Sequence, residues 1–316
     1  MRLVKALIKI ALSAALIAIV IHAFDVKGVG AHFLRVDAAT LLTVIAVALA
    51  VAPLHALRWL AVIGASGNQL RFGTALEVVL IGHFFNQVLP SSVGGDAMRV
   101  WCAYRTGFRF GDAAATVIID RLLTLLSLLL LAAVGLPGLF EIVGDPVARW
   151  ALSTVICAGL VGFVVFIAIV RLPGFAVRWR ALRALLDVTA LARKVVCQPR
   201  YALPVILLSV ASFAGFAFIV FSLARAIQLD VTFVECMLLV PPVILVTIVP
   251  VSIAGWGVRE GAMVVAFGFL NVPASAAFAV SVLFGLTLAV ASLPGSLLWW
   301  LGGYSARNAA AHPSDS

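Results

Sequence analysis

The sequence PSSVGGDAMR occupies residues 90–99, and a related sequence, PVSIAGWGVR, occupies residues 250–259. Both follow the pattern Pro-x-Ser-Val/Ile-small-Gly-x-x-x-Arg, and they lie 160 positions apart in a chain of 316 residues. Each half of the chain, about 1–150 and 151–316, therefore carries one copy. Turn residues and an arginine inside apolar sequence are typical of the broken segments that bind polar ligands in membrane transporters. The alternative is that the copies are unrelated loops with ordinary turn chemistry.

The composition is that of a membrane protein. The chain is 64% hydrophobic and 11% charged, whereas soluble domains have about 25% charged residues. We therefore predict an all-α, polytopic membrane helix bundle that forms a single integral-membrane domain over residues 1–316. The net charge of +9 does not by itself indicate nucleic-acid binding, and we expect none. The four cysteines have no metal or redox spacing, so we expect no metal ion or other cofactor.

Six segments are long and apolar enough to cross the hydrocarbon core of a bilayer, which takes about 20 residues of helix. They are residues 3–24, 40–62, 113–135, 150–170, 202–226 and 275–301. Two further apolar regions, about 74–106 and 234–270, are each interrupted by the repeated motif. We predict that each is a re-entrant helical hairpin, which enters the membrane, turns at the motif and returns to the same side.

The distribution of basic residues supports this topology, because basic loops face the cytoplasm. Arg2, Lys5 and Lys9 lie at the N-terminal end of the first span, and residues 171–200 contain seven basic residues and one acid. With two hairpins, both termini and the 171–200 loop are cytoplasmic. Three full spans separate the hairpins, so the second is inverted relative to the first, and we expect their tips to meet near the midplane as an inverted repeat. The 171–200 loop also has the pattern of an amphipathic surface helix.

The repeated motif combines residue types that bind phosphate. Gly94, Gly95 and Asp96 at a turn before a helix offer backbone N–H groups to an anion, and Arg99 adds a bidentate cation about one turn later. Alternatively, the arginines only neutralise acids within the protein, as Asp96 and Arg99 can at i,i+3 spacing. We expect the neighbour of Arg259, Glu260, to lie on a different helical face. The candidate headgroup-binding residues are Asn86, Ser92, Gly94, Gly95, Asp96, Arg99, Ser252, Gly255, Gly257, Arg259 and Glu260.

Charged residues in the third span are candidates for coupling or gating. Asp120 and Arg121 are adjacent, so they do not face each other, and each needs a partner among the charges of the hairpins. Asp120 either couples transport to an ion or forms a structural ion pair. Arg58 closes the second span, where we expect its side chain to snorkel, with phosphate binding as the alternative. Its neighbour Trp59 fits an interfacial aromatic belt, and His83 fits a polar spacer better than a pH switch.

Several of these residues resemble one known family over nearly the whole chain. Residues 85–96, Arg99, the Asp120-Arg121 pair and residues 250–260 resemble the lysylphosphatidylglycerol synthase transmembrane-region family. The motifs are Asn-x-x-Leu-Pro-x-x-x-Gly-Gly and Gly-x-Gly-x-Arg-Glu. The family usually has Glu-Arg in the third span, so Asp-Arg keeps the charges. It often has Gly-Gly before the second motif, where this chain has the bulky Trp256.

The resemblance implies a stand-alone, flippase-like lipid transporter in the bacterial cytoplasmic (inner) membrane. We expect it to lack the soluble aminoacyl-transfer domain of the full-length synthases and not to be an enzyme. Its cargo would be an aminoacylated phospholipid, a lipid-linked sugar or a hopanoid. Its partners would be membrane lipids and a separate glycosyltransferase or aminoacyl-transfer enzyme. Two other hypotheses are an ion-coupled transporter of a soluble anion and a non-transporting partner that presents lipid to a membrane enzyme.

Overall fold

The structure is a computed structural model that describes residues 29–89, 94–168, 180–247 and 255–301. Within these ranges every regular element is an α-helix, as the composition predicts. The helices are α1 (Val29–Phe33), α2 (Ala38–Ser66), α3 (Phe72–Val88), α4 (Gly94–Arg105), α5 (Phe110–Ile142), α6 (Pro146–Ala168), α7 (Arg180–Cys197), α8 (Pro199–Ala226), α9 (Phe233–Thr247), α10 (Val258–Gly268) and α11 (Ala274–Leu301).

Five of these helices, α2, α5, α6, α8 and α11, are long and apolar enough to cross a membrane. They contain 23 to 33 residues each and cover five of the six predicted spans. The sixth, at residues 3–24, lies outside the described residues. Along α6 only Ile156 is buried, so most of its apolar surface is free to face lipid. The protein is therefore a multi-pass membrane protein.

Both apolar regions that carry the repeated motif are divided into two short helices. Helix α3 has 17 residues, or about 26 Å of helix, which is shorter than the roughly 30 Å hydrocarbon core. Leu89 after it is extended, with φ −78° and ψ 140°, because the following Pro90 sterically disfavours the helical conformation. The helices of each pair, α3 with α4 and α9 with α10, pack against each other. Residues 90–93 and 248–254 lie outside the described residues, and the re-entrant course stays a prediction.

The same order of elements occurs twice in the chain. Helices α2, α3, α4 and α5 are a long, two short and a long helix, and α8, α9, α10 and α11 repeat this order. Each helix of the second set starts between 161 and 164 positions after its counterpart. This spacing agrees with the 160-residue separation of the two motifs. Helix α2 packs along its counterpart α8, so the two sets share a long helical contact.

The last helix, α11, packs against both pairs of short helices, through α3 and α10. At Gly295, α11 approaches α3 so closely that a Cβ atom would overlap the carbonyl oxygen of Leu80. At Gly285 a Cβ atom would overlap the Arg259 guanidinium of the second motif. Small residues allow such close contacts between membrane helices. Helix α11 thereby connects α3, which precedes the first motif, with α10, which carries Arg259 of the second motif.

The basic segment at 171–200 contains helix α7 over Arg180–Cys197, which agrees with the predicted amphipathic helix. Its residues 171–179 lie outside the described residues. Lys194 donates a hydrogen bond of 2.6 Å to the carbonyl oxygen of Ala65 at the end of α2. Ala192 and Val195 are completely buried against α2, α5 and α8. Helix α7 is therefore docked on the bundle along one face.

Candidate functional site

Five charged residues from three helices come together inside the bundle. Arg58 lies on α2, Asp96 and Arg99 lie on α4, and Asp120 and Arg121 lie on α5. We call this group the arginine–aspartate cluster. Helix α4 begins at Gly94, within the first motif, and packs on both α3 and α5. The break at the motif therefore brings charged residues of a short helix against a long apolar one.

Asp120 is the centre of the cluster, with only 1% of its side chain exposed. Its Oδ1 accepts a hydrogen bond of 2.9 Å from Nε of Arg58. Its Oδ2 accepts one of 2.8 Å from Nη2 of Arg99. Each carboxylate oxygen thus has a guanidinium donor from a different helix. Charge-assisted hydrogen bonds of this kind are about twice as strong as neutral ones and hold their partners in a defined geometry.

Arg121, the next residue on α5, pairs with Asp96. Its Nε and Nη2 lie 2.8 and 2.7 Å from Oδ2 of Asp96. The Arg121 side chain is 47% exposed, whereas that of Asp96 is 13% exposed. Nη1 of Arg99 also lies 3.6 Å from Oδ1 of Asp96, which is the i,i+3 pair that the sequence offers. Asp120 and Arg121 thus each have a partner among the charges of the hairpins, Arg99 and Asp96, as predicted. The second partner of Asp120, Arg58 on α2, was not predicted.

The cluster has more positive than negative charge. It contains three guanidinium groups and two carboxylates, which leaves one surplus positive charge. Among the described residues, Nη1 of Arg58 and Nε of Arg99 are buried N–H groups without a hydrogen-bond partner. An unsatisfied, buried charged donor is costly. An anion bound here would supply both the missing acceptor atoms and the missing negative charge.

Arg58 and Trp59 correct two expectations from the sequence. Helix α2 continues to Ser66, so Arg58 lies inside the helix, is 5% exposed and does not snorkel. Trp59 is completely buried, and its ring centre lies 4.7 Å from Cζ of Arg99, a cation–π contact and not an interfacial position. With the span expected to end near residue 62, phosphate binding was only the alternative for Arg58, and no site role was expected for Trp59. An arginine within an apolar helix was the available signal.

Asn86 and the first two residues of α4 have a packing role. Oδ1 of Asn86 accepts a hydrogen bond of 3.0 Å from the backbone N–H of Gly95. Gly94 and Gly95 are buried in the first turn of α4, and a Cβ atom on Gly95 would overlap the carbonyl oxygen of Gly82. The expectation that Gly95 offers an exposed N–H group to an anion is therefore wrong, because that group is used inside the protein. Ser92 lies outside the described residues.

The second motif forms a smaller, charge-balanced pair. Arg259 Nη2 lies 2.6 Å from Oε1 of Glu260, so these neighbours pair although the sequence led us to expect them on different helical faces. Both side chains are buried, at 7% and 0% exposure. Glu260 also accepts a hydrogen bond from the backbone N–H of Gly257, which caps α10 in the manner of a capping box. Gly255 and Gly257 have φ of 78° and 87°, a conformation that favours glycine.

Trp256 lies against Arg259, with the guanidinium carbon 4.7 Å from the ring centre. On the opposite element, Phe284 of α11 lies 5.8 Å from the same carbon. The bulky residue that departs from the family pattern therefore stacks on the arginine of its own motif. Ser252, the remaining candidate of this motif, lies outside the described residues.

Comparison with known proteins gives one family. The family model described as lysylphosphatidylglycerol synthase TM region matches residues 6–295 of the 316-residue chain. The match includes both motifs and all five members of the arginine–aspartate cluster. No curated protein matches the chain.

Proposed function

Because the chain belongs to the lysylphosphatidylglycerol synthase transmembrane-region family, we propose that it is a flippase-like transporter that moves a lipid with an anionic phosphate headgroup between leaflets. One observation carries the proposal. The buried part of the arginine–aspartate cluster, Arg58, Arg99 and Asp120, has a surplus positive charge and two unpaired N–H groups inside a bundle of apolar helices.

A phosphate group fits this surplus for electrostatic reasons. Charges are strongly disfavoured in a membrane interior unless they are paired. Arg58 and Arg99 share Asp120, and Arg99 shares Asp96 with Arg121. The three guanidinium groups therefore have only two counter-charges. Guanidinium groups bind phosphate through parallel N–H donors. A phosphodiester at the two arginines would therefore supply the missing negative charge and accept hydrogen bonds from Nη1 of Arg58 and Nε of Arg99.

The hydrocarbon chains of the lipid would lie against apolar protein surface. Helices α5, α6, α9 and α10 enclose an open groove of about 460 Å³, lined by apolar side chains such as Leu139, Val155, Leu239 and Phe269. An apolar groove on a membrane-spanning bundle is filled by lipid chains, since water there would be unfavourable. The groove borders α10 and not the arginine–aspartate cluster, so the choice of a lipid over a soluble anion as cargo rests on the family.

The two motifs have different roles in this proposal. Arg58 and Arg99 bind the phosphate, and the half-exposed pair of Arg121 with Asp96 opens and closes the access to them. Binding of a headgroup by Arg259 stays a prediction. Its basis is weaker, because Glu260 already balances the charge of Arg259. The protein acts as a transporter in this proposal, and a catalytic role is not required.

The proposal is tested by leaflet translocation of labelled phosphatidylglycerol in proteoliposomes. The test variant is Arg99→Gln, which leaves the Arg58–Asp120 pair neutral and should therefore stay folded. We expect its rate to fall at least ~10-fold, since a hydrogen bond to a charged group contributes about 1.5–3 kcal/mol. The matched control is Arg225→Gln, on an exposed pair with Asp230 on the same protein, and we expect its rate to be unchanged.

Three results would contradict the proposal. A folded wild type that moves no phospholipid would exclude the flippase activity for the lipids tested. Uptake of radiolabelled inorganic phosphate without lipid movement would replace the lipid by a soluble anion. Equal rates for wild type and Arg99→Gln would show that the arginine–aspartate cluster is not the headgroup site.

A further inference from the structure

A second polar site lies beside the arginine–aspartate cluster and has no part in the ion pairs. It is a cavity of about 140 Å³ between α2, α3, α8 and α11. Its apolar lining includes Val51, Phe216 and Leu288. Its polar lining consists of His55, His83, Asn86, Gln87 and Ser292. We call it the histidine cavity.

The two histidines of this cavity form a hydrogen-bonded pair. Nδ1 of His55 lies 3.1 Å from Nε2 of His83, so one nitrogen donates and the other accepts. In a neutral pair the two remaining ring nitrogens are then one N–H donor and one bare acceptor, whichever tautomers are present. A hydroxyl group, which both donates and accepts, matches this combination.

The other polar side chains of the cavity also offer both hydrogen-bond donors and acceptors. Oδ1 of Asn86 is used by the N–H of Gly95, which leaves its amide N–H₂ as donors. The hydroxyl of Ser292 donates to the carbonyl oxygen of Ala289 at 2.7 Å, which leaves its lone pairs as acceptors. Gln87 has both a donor and an acceptor. Among the described residues that line the cavity there is no carboxylate and no permanent cation.

The cavity adjoins the buried arginines through two helices. His55 lies one helical turn before Arg58 on α2. His83 follows Gly82, and a Cβ atom on Gly82 would lie 2.7 Å from Cγ of Arg99. Asn86 is bonded to α4, which carries Arg99. A group that enters the histidine cavity therefore lies next to the surplus positive charge, which repels an ammonium group.

The histidine cavity is the smaller of the two spaces described above, at about 140 Å³ against about 460 Å³ for the apolar groove. It is partly open, so it can receive one end of a headgroup while the rest of the lipid lies outside it. The free part of a glycerol headgroup, three carbons and two hydroxyls, is a small group of this kind.

We propose that the histidine cavity binds the uncharged, hydroxyl-bearing end of a phosphodiester lipid headgroup whose phosphate lies on Arg58 and Arg99. The inference rests on the proposed function and narrows its cargo. It favours a small polyol, of which phosphatidylglycerol is the simplest example, over an aminoacylated headgroup with its ammonium group. The lipid is recognised by charge at the cluster and by hydrogen bonding in the cavity.

The test is competitive binding of three lipids with identical acyl chains to the full chain in nanodiscs. Phosphatidylglycerol has the hydroxyls, phosphatidylmethanol has the same charge without them, and lysyl-phosphatidylglycerol adds ammonium groups. We expect phosphatidylglycerol to bind at least ~10-fold more tightly than either of the others, from one or two hydrogen bonds that the cavity makes. The double variant His55→Phe/His83→Phe should reduce this ratio to below about twofold. The smaller substitution Ser292→Ala should lower this affinity ratio, but by less than the histidine double variant does.

The ratio of the affinities for phosphatidylglycerol and phosphatidylmethanol tests this inference separately from the proposed function. The control His32→Phe, on α1 outside the cavity, should keep the wild-type ratio. Equal affinities of the wild type for phosphatidylglycerol and phosphatidylmethanol, or an unchanged ratio in the histidine double variant and in Ser292→Ala, would show that the cavity holds only water. Tighter binding of lysyl-phosphatidylglycerol would overturn the choice of an uncharged group. Failure of all three lipids to bind, or binding unaffected by Arg99→Gln, would instead remove the proposed function and this inference with it.

Discussion

Arg58 donates a hydrogen bond of 2.9 Å to Asp120, 62 residues later in the chain, and both side chains are almost completely buried. This contact connects α2 to α5. With Arg99 as a second donor, it joins three helices at one carboxylate. The site in the first half of the chain therefore depends on a residue outside the repeated motif. Substitutions of individual charged residues in the two motifs and their partners should therefore reduce the stability of the protein by different amounts.

Asp120→Asn should destabilise the protein strongly. The change leaves the guanidinium groups of Arg58 and Arg99 buried without their carboxylate, and breaking a buried ion pair costs about 3–5 kcal/mol. Thermal unfolding in detergent measures the loss. Asp120→Glu keeps the charge and should cost much less. An Asp120→Asn protein as stable as the wild type would mean that the arginines have other counter-charges.

Gly95→Ala should disrupt the packing of α4 on α3. Its Cβ atom would overlap the carbonyl oxygen of Gly82 and press on the Asn86 side chain. Overpacking of this kind typically costs about 1–3 kcal/mol. The matched control is Gly111→Ala in α5, where a Cβ atom meets nothing within 4 Å, and which should be neutral or slightly stabilising. The measurement is the unfolding temperature of each purified variant. Equal unfolding temperatures for Gly95→Ala and Gly111→Ala would contradict the close contact between Gly95 and Gly82.

The pair of Arg121 with Asp96 should contribute only a small amount to stability. The Arg121 side chain is about half exposed, and exposed ion pairs contribute about 0.2–1 kcal/mol. A double-mutant cycle with Arg121→Gln and Asp96→Asn measures the coupling energy. We expect a value in this range that decreases with added salt. A coupling above about 3 kcal/mol would show that the pair is effectively buried and cannot act as a gate.

Glu260→Gln should be more harmful alone than together with Arg259→Met. The single change leaves Arg259 buried without its carboxylate, whereas the double change removes both charges. We expect the double variant to be more stable than Glu260→Gln by at least about 1 kcal/mol, as judged by unfolding of both proteins under the same conditions. Additive losses would indicate that Arg259 and Glu260 are stabilised independently of each other.

Much of the architecture could be predicted from the sequence because it follows from local chemistry. Apolar length determines where membrane helices lie, so five of the six predicted spans agree with helices such as Pro199–Ala226. Proline and its effect on the preceding residue determine where a helix must end, as Leu89 shows. The expectation that Asp120 and Arg121 have separate partners among the hairpin charges followed from helix geometry, since adjacent residues point in different directions from a helix.

The tertiary structure alone decided which charges meet and which remain in surplus. Arg58 and Asp120 are 62 positions apart, and His55 and His83 are 28 apart, so neither pairing has a local sequence signal. The pairing of Arg259 with Glu260 depends on side-chain rotamers and on the space that Gly285 leaves. The periodicity of apolar residues predicts which face of a helix is buried, because that pattern involves only residues close together in the sequence. Electrostatic balance depends on distances between helices, and those distances exist only once the helices have packed.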